Sequence, residues 1–168
     1  TMKPVKQVRS FAAAIAFAAI ALPAAAQTVL NVNTALTTDD PMYAGLERMK
    51  ANVEKRSAGK LQIRIFPGSQ LGKDEDVLEQ ARAGANVAVL VDGGRLAPFV
   101  KEFGIMGAPY LVDNFDQVLR LQQSALFKGW VEKLRGAANL QVLSFDWFQG
   151  HRHMLTNSPV KVPADLKG

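Results

Sequence analysis

The chain has 168 residues, no cysteine, and 20 Lys and Arg residues against 15 Asp and Glu residues, which gives a formal net charge of +5. This length suits about one domain. The lack of cysteine excludes disulfides, thiolate metal sites, thiol nucleophiles and a cysteine-linked lipid anchor. Basic and acidic residues are interleaved, which argues against a nucleic-acid-binding face.

The first 26 residues have the pattern of a secretory signal peptide. Lys3, Lys6 and Arg9 give a basic start, an unbroken apolar run follows at 11–22, and three small residues end at Ala26. The alternative is a membrane anchor, but the apolar run is shorter than the roughly 20 residues that a spanning helix needs. We therefore expect export to the periplasm with cleavage near Ala26. Much of the positive charge leaves with this peptide.

The rest of the chain predicts alternating strands and helices. Leu61, Ile63 and Ile65 alternate with polar residues, which predicts a strand, and the apolar run at 86–91 predicts a strand buried on both faces. The predicted elements are, in chain order, a strand at 29–36, a helix from Pro41 to 57–59, a strand at 61–65, a helix that starts at 73–76 and ends at Gly84, a strand at 86–91, an irregular stretch with one short strand or turn at 99–110, a helix capped by Asp113 or Asn114, a helical piece at 126–134 that ends by Gly136, and a strand at 140–145.

The first helix has the clearest sequence signals. Asp40 is a good N-cap residue and Pro41 suits the first helical position. Leu46, Met49 and Val53 then recur at helical spacing and predict one buried face.

Strands that alternate with helices of crossover length predict an α/β fold with a mostly parallel sheet and βαβ crossovers. In open sheets of this kind, ligands bind at the carboxyl ends of the strands. Asn33, Asp92 and Arg152 each lie at or just beyond the end of a predicted strand. Arg152 would offer a planar fork of donors to a carboxylate, and the other two would bond polar groups of a ligand. The alternative is that all three are ordinary turn or surface residues.

Trp147 and Phe148 follow the last predicted strand. They are interpreted as aromatics of the core or of a cleft wall, with stacking on a ligand as the further hypothesis.

The sequence favours no catalytic or cofactor site. His151 and His153 would share a face in a strand, but no third metal ligand follows at a recognisable spacing. The glycine pair 93–94 lacks the patterns of phosphate-binding loops. The acidic run at 74–76 is interpreted as a solvated helix start, where the helix dipole favours negative charge. With no nucleophile beside a positioned base and no acid–base pair, we predict neither an enzyme nor a cofactor nor a metal.

Three stretches resemble the solute-binding proteins of tripartite ATP-independent periplasmic (TRAP) transporters. They are SAGKLQIRIFPGSQLG at 57–72, APYLVDN at 108–114 and GHRHMLTNSPVKVPADLKG at 150–168. The resemblance covers nearly the whole chain after the signal peptide. It implies a two-lobed α/β protein that closes on an organic anion, usually a carboxylate, and docks on a membrane permease of two subunits.

By position, Asn33 matches a ligand-contacting asparagine of that family, Asp92 an acidic cleft residue, and Arg152 a cleft arginine. The family's principal carboxylate-clamping arginine comes a few residues after DLKG, beyond Gly168. The resemblance thus implies that 27–145 form an incomplete first lobe and that 146–168 cross into a second lobe. We expect such a chain to be marginally stable and to bind ligand weakly or not at all by itself.

Two alternatives stay open on the sequence alone. One is a truncated, non-functional fragment of such a protein. The other is a periplasmic enzyme that acts on small acids with Asp92, Arg152 and the histidines.

Overall fold

The computed structural model describes residues 27–147 and 154–166. The predicted signal peptide, Phe148, Arg152 and both histidines lie outside this part of the chain. None of the helices in the described ranges is long and apolar enough to cross a membrane.

The described residues form a parallel sheet of three strands with helices in the connections. The elements are β1 (Thr28–Thr34), α1 (Pro41–Arg56), β2 (Leu61–Phe66), α2 (Asp74–Arg82), β3 (Val87–Leu90), the 3₁₀ helices η1 (Gly93–Leu96) and η2 (Lys101–Gly107), α3 (Phe115–Gln123), α4 (Ala125–Ala138) and the 3₁₀ helix η3 (Pro163–Leu166). The predicted α/β fold with a parallel sheet and βαβ crossovers is confirmed.

β1 is the middle strand, in the order β2-β1-β3. Asn33 of β1 lies opposite Phe66 of β2 and Val89 of β3. Because all three strands run in the same direction, the turns that follow them meet at one edge of the sheet, called here the carboxyl edge.

Local signals predicted the start of α1 and left two candidates, Asp113 and Asn114, for the cap of α3. The Asp40 carboxylate accepts a hydrogen bond from the backbone N–H of Met42 at 2.8 Å, and Pro41 occupies the first helical position. The Asn114 side chain caps α3 by accepting from the N–H of Gln117 at 3.1 Å. These caps satisfy backbone donors that a helix leaves unpaired at its start.

Two groups of buried apolar side chains form the core. The sheet cluster joins Val32, Leu46 and Ile63 between the sheet and α1. The helical cluster is larger and lies around α4; its buried members are Leu78, Leu96, Val100, Phe103, Phe127, Leu134, Ala138 and Leu140.

Three sequence predictions differ from the structure. Residues 140–145 form no strand, although Leu140 is buried and Leu143 is exposed in the alternating manner of one. Within the described residues, β3 pairs only with β1. The residues of β3 are half-buried rather than buried on both faces. The helical piece predicted at 126–134 to end by Gly136 extends over Ala125–Ala138 and passes through that glycine. The first two differences concern a pairing partner, which short apolar patterns do not reveal. The stretch at 99–110 is irregular, as predicted, and contains the 3₁₀ helix η2 and a turn at 109–110.

Candidate functional site

The carboxyl edge of the sheet gathers the described residues that the sequence singled out. Asn33 is the second-last residue of β1, Asp92 follows β3, and Trp147 packs beside α1, which begins at this same edge. Arg152 and Phe148 are outside the described residues.

Asn33 is completely buried, with no exposed surface. Its side-chain Nδ2 donates to the carbonyl of Gly72 at 3.2 Å, and its Oδ1 accepts from the N–H of Leu71 at 3.1 Å. A buried amide is stable only where such partners exist. The asparagine therefore ties the loop at 67–72 to β1.

Backbone bonds hold the same loop to the chain that leaves β1. The N–H of Gly68 donates to the carbonyl of Leu36 at 2.8 Å, and the N–H of Ser69 donates to the carbonyl of Thr34 at 2.9 Å. Gly68 and Ser69 both have φ near +59°, a conformation in which glycine is at ease and serine is uncommon. The SQLG motif thus has a structural role, since it closes the carboxyl edge beside Asn33 and leads into α2.

Asp92 is exposed and begins η1, where its carbonyl accepts from the N–H of Arg95 at 3.0 Å. Asp92, Arg95, Asp74 and Glu75 form a group of charged side chains, in which Arg95 is the cation. Its Nε lies 3.6 Å from Oδ2 of Asp74, and its Nη1 bonds to Oε1 of Glu75. These pairs connect η1 to the first turn of α2.

The charge of this group is negative. Burial raises the pKa of the Asp74 carboxyl above its ordinary value; the Arg95 guanidinium opposes that shift, and the charges of Glu75 and Asp92 add to it. The other carboxylate oxygen of Asp74 is buried and has no hydrogen-bond partner among the described residues. The three carboxylates of Asp74, Glu75 and Asp92 outnumber the one guanidinium of Arg95, so together they do not attract an anion. They suit hydroxyl or ammonium groups better.

Two aromatic side chains pack against elements that begin at the carboxyl edge. Phe145 packs against the helical cluster, with its ring 4.8 Å from that of Phe127, and it also lies close to Gly93 at the start of η1. Trp147 is half-buried and packs against the sheet cluster. The aromatic wall, Phe145 and Trp147, therefore joins both parts of the core at the carboxyl edge.

Sequence reasoning missed several features of this edge. Arg95 was not among the predicted site residues, although its position two residues after Gly93 and close to a strand end was a usable signal. Phe145 was assigned to a strand. In the described ranges, no group of three or more His, Asp or Glu residues could hold a metal ion.

Comparison with known proteins places these features in a family. The model of the family described as bacterial extracellular solute-binding protein, family 7, matches residues 32–168. The C4-dicarboxylate-binding periplasmic protein DctP of Rhodobacter capsulatus is 27% identical over 152 residues, which are 89% of this chain and 45% of that protein.

Solved structures agree. A TRAP periplasmic solute-binding protein from Escherichia fergusonii, in an apo open structure, has 44% identity and a TM-score of 0.75 over 83% of this chain and 46% of its own. Another from Fusobacterium nucleatum, with bound sn-glycerol-3-phosphate, has 26% identity and a TM-score of 0.78 over 84% and 46%. The resemblance seen in the sequence motifs is confirmed, and the chain spans about half the length of the proteins it matches.

Proposed function

The chain belongs to family 7 of the bacterial extracellular solute-binding proteins, and from that premise we propose that it serves a TRAP-type transporter in the periplasm. It captures a small organic anion and delivers it to a membrane permease. The observation that carries this proposal is the family match over residues 32–168, which takes in the parallel sheet and the segment after Trp147. The function is binding and transport rather than catalysis.

The proposed ligand class is an organic anion, with a carboxylate as the first choice. Names of similar proteins support the anion: one is a C4-dicarboxylate-binding protein and another was solved with sn-glycerol-3-phosphate. The two ligands differ in their acidic group, carboxylate in one and phosphate ester in the other. What they share is a small size and negative charge.

The charges at the carboxyl edge bear on which residue meets the anion. Arg95 is already paired with Asp74 and Glu75, so its charge is compensated. Arg152 is therefore proposed as the cationic contact, as the planar fork of an arginine suits a carboxylate. Asp92, exposed at the edge, is proposed to bind hydroxyl or ammonium groups of the same ligand.

The remaining predicted contacts divide by their surroundings. Trp147 and Phe148 are proposed to form an apolar face of the cleft. Both amide atoms of Asn33 already bond the loop at 67–72, so a direct contact with ligand would need that loop to part from β1. Asn33 is thus proposed to act mainly by holding this loop.

A thermal-shift screen of organic acids tests the proposed function. The protein expressed from its complete gene is screened against C4-dicarboxylates, keto, hydroxy and aromatic acids, sialic acid and sn-glycerol-3-phosphate, with neutral sugars as the control set. We expect at least one anion to raise Tm, since a ligand that binds only the folded state stabilises it. A response confined to neutral solutes would contradict the proposed ligand class.

Arg152→Ala tests the site once an anion is found. Loss of a charge-assisted hydrogen bond worth about 1.5–3 kcal/mol predicts an affinity roughly 10- to 150-fold weaker by calorimetry. Arg120→Ala, on the exposed face of α3, is the matched control and should leave Kd unchanged. Equal affinities in both variants would remove Arg152 from the site.

Delivery to a permease is a separate claim with its own test. Cells without the gene should lose uptake of the identified anion, and should regain it with the original gene. Uptake that persists unchanged in the deletion strain would contradict the transport role.

A further inference from the structure

A glycine in the second turn of α1, Gly45, faces the ring of Trp147. A Cβ atom at Gly45 would lie 2.9 Å from Cζ3 and 3.5 Å from Cη2 of Trp147. The first distance is shorter than carbon atoms in contact allow. Glycine weakens a helix interior relative to alanine, so its presence inside Pro41–Arg56 calls for a packing reason. The indole ring supplies that reason.

A second glycine faces Phe145 in a similar way. A Cβ atom at Gly93 would lie 2.9 Å from Cε2 and 3.2 Å from Cζ of Phe145, and 3.2 Å from Cβ of Met106. The Phe145 ring is itself confined by Phe127, and the Met106 Cβ is fixed to the backbone of η2. Less space can be made here than at Gly45.

The two contacts lie two residues apart on one segment but belong to different parts of the core. Phe145 packs against the helical cluster and Trp147 against the sheet cluster. Gly45 and Gly93 stand on elements that begin at the carboxyl edge, after β1 and β3 respectively. Each of the two rings therefore packs against one glycine, whose missing side chain leaves room for the ring. Such a glycine position is called here a seat.

We propose that Gly45 and Gly93 are positioning residues: the space left by their missing side chains seats Trp147 and Phe145 and fixes the aromatic wall across the carboxyl edge. If the proposed function holds, these two positions set the width of the ligand cleft on the side of the aromatic wall. A side chain at either seat displaces the wall and changes ligand affinity without touching the ligand.

The first experiment compares glycine-to-alanine exchanges in three places. Gly129 in α4 is the matched control, because a Cβ atom there meets nothing within 4 Å. Alanine is the better helix former, so Gly129→Ala should raise Tm. Gly45→Ala should lose that gain, and Gly93→Ala should lower Tm furthest. A Tm rise in Gly45→Ala equal to that in Gly129→Ala would contradict the proposal that Trp147 needs the space at Gly45.

A second-site change separates the seat from a general structural effect. Phenylalanine lacks the Cζ3 and Cη2 atoms that an indole ring places near Gly45. In a Trp147→Phe background, Gly45→Ala should recover the Tm gain of the control, which gives a coupling between the two positions in a double-mutant cycle. Additive effects of the two changes would count against the proposal.

Fluorescence reports on the ring directly. In a Trp130→Phe background, Trp147 is the remaining tryptophan, since the chain has two. Gly45→Ala should shift its emission to longer wavelength and increase quenching by acrylamide, whereas Gly129→Ala should change neither. An unchanged spectrum in Gly45→Ala would overturn the proposal even if Tm falls.

The ligand arm uses succinate and sn-glycerol-3-phosphate as probes on the whole protein. Gly45→Ala should change Kd for whichever probe binds, and Gly129→Ala should not. If neither probe binds the unsubstituted protein, that result counts against these two anions as ligands, while the fluorescence and the double-mutant cycle still decide whether the two glycines position the rings. If a probe binds to both variants with equal Kd, the proposal that Gly45 sets the width of the cleft is contradicted.

Discussion

Asn33 illustrates how one side chain can determine the position of a loop. The sequence predicted a polar residue at the end of a strand, and the structure places it at that end. Its burial, and its two bonds to the loop at 67–72, depend on residues almost 40 positions further along the chain. Pattern reasoning does not see such contacts, because the loop reaches β1 only through the parallel pairing of β1 and β2.

Asn33→Ala should destabilise the protein by about 2–4 kcal/mol. The exchange removes two hydrogen bonds and leaves the N–H of Leu71 and the carbonyl of Gly72, both in half-buried residues, without these partners. Denaturant unfolding measures the change. Asn31→Ala, at a half-buried position of the same strand, is the control and should cost less. Equal losses in the two variants would show that the contact with the loop does not stabilise the fold.

Glu54 gives a pH dependence with a definite sign. Its carboxylate bonds Lys50 at 2.7 Å and the backbone N–H of Ile63 in β2 at 3.0 Å. The bond from Lys50, followed by that from Ile63, holds the pKa of Glu54 below its ordinary value, against a smaller opposing effect of burial. A lowered folded-state pKa contributes stability above the ordinary glutamate pKa. This contribution is lost as pH falls through the folded-state value.

Glu54→Gln should therefore lower stability at neutral pH and flatten its loss between about pH 5 and pH 3. Unfolding curves recorded over this range measure both effects. Glu47→Gln, exposed on the same helix, serves as the control. If acidification weakens Glu54→Gln as steeply as the unsubstituted protein, the link between α1 and β2 does not carry the effect.

Helix ends show what can be predicted at the scale of an element. Asp40 was recognised as a cap from the sequence, and Asn114 was one of two candidates with Asp113, since capping involves only the next two or three residues. Residues 140–145 show the opposite case. Their alternating pattern resembles a strand, but a strand exists only where another strand offers a ladder. The local sequence cannot supply that information.

Ser124 is the single residue between α3 and α4 and contacts both helices. Its hydroxyl accepts from the N–H of Phe127 at 3.1 Å to cap α4 and donates to the carbonyl of Leu121 at 2.6 Å at the end of α3. Ser124→Ala should lower the free energy of unfolding by about 1 kcal/mol or slightly more, because a helix donor loses its cap. Ser158→Ala, at an exposed position outside the helices, is the control. A loss no larger than that of the control would contradict the double role of Ser124.

At the scale of the whole molecule, large apolar side chains differ widely in their exposed fraction. Leu134 of α4 is 1% exposed, whereas Leu143 is 74% exposed and Leu155 is 97% exposed. Single apolar side chains at a surface are ordinary. Several of them together increase the apolar surface that is exposed to water.

Leu143→Gln and Leu155→Gln should reduce the binding of a hydrophobic dye and leave the free energy of unfolding within about 0.5 kcal/mol of the original. Leu134→Ala should instead lower it by about 2–5 kcal/mol, since the exchange leaves a cavity in the helical cluster. Fluorescence of the dye and denaturant unfolding provide the two measurements. A large stability loss in the glutamine variants would mean that these leucines are packed.

The sequence by itself determined the α/β class, the first two strands, the helix caps and, through its motifs, the family. These depend on residue periods and short-range hydrogen bonds, which a linear pattern contains. Only the tertiary structure decided that Asn33 is a buried tie to a loop, that Arg95 is paired with Asp74 and Glu75, and that Gly45 and Gly93 receive aromatic rings. Those contacts join residues from 20 to about 100 positions apart in the chain. Such residues meet only after parallel strands have brought their carboxyl ends to a common edge.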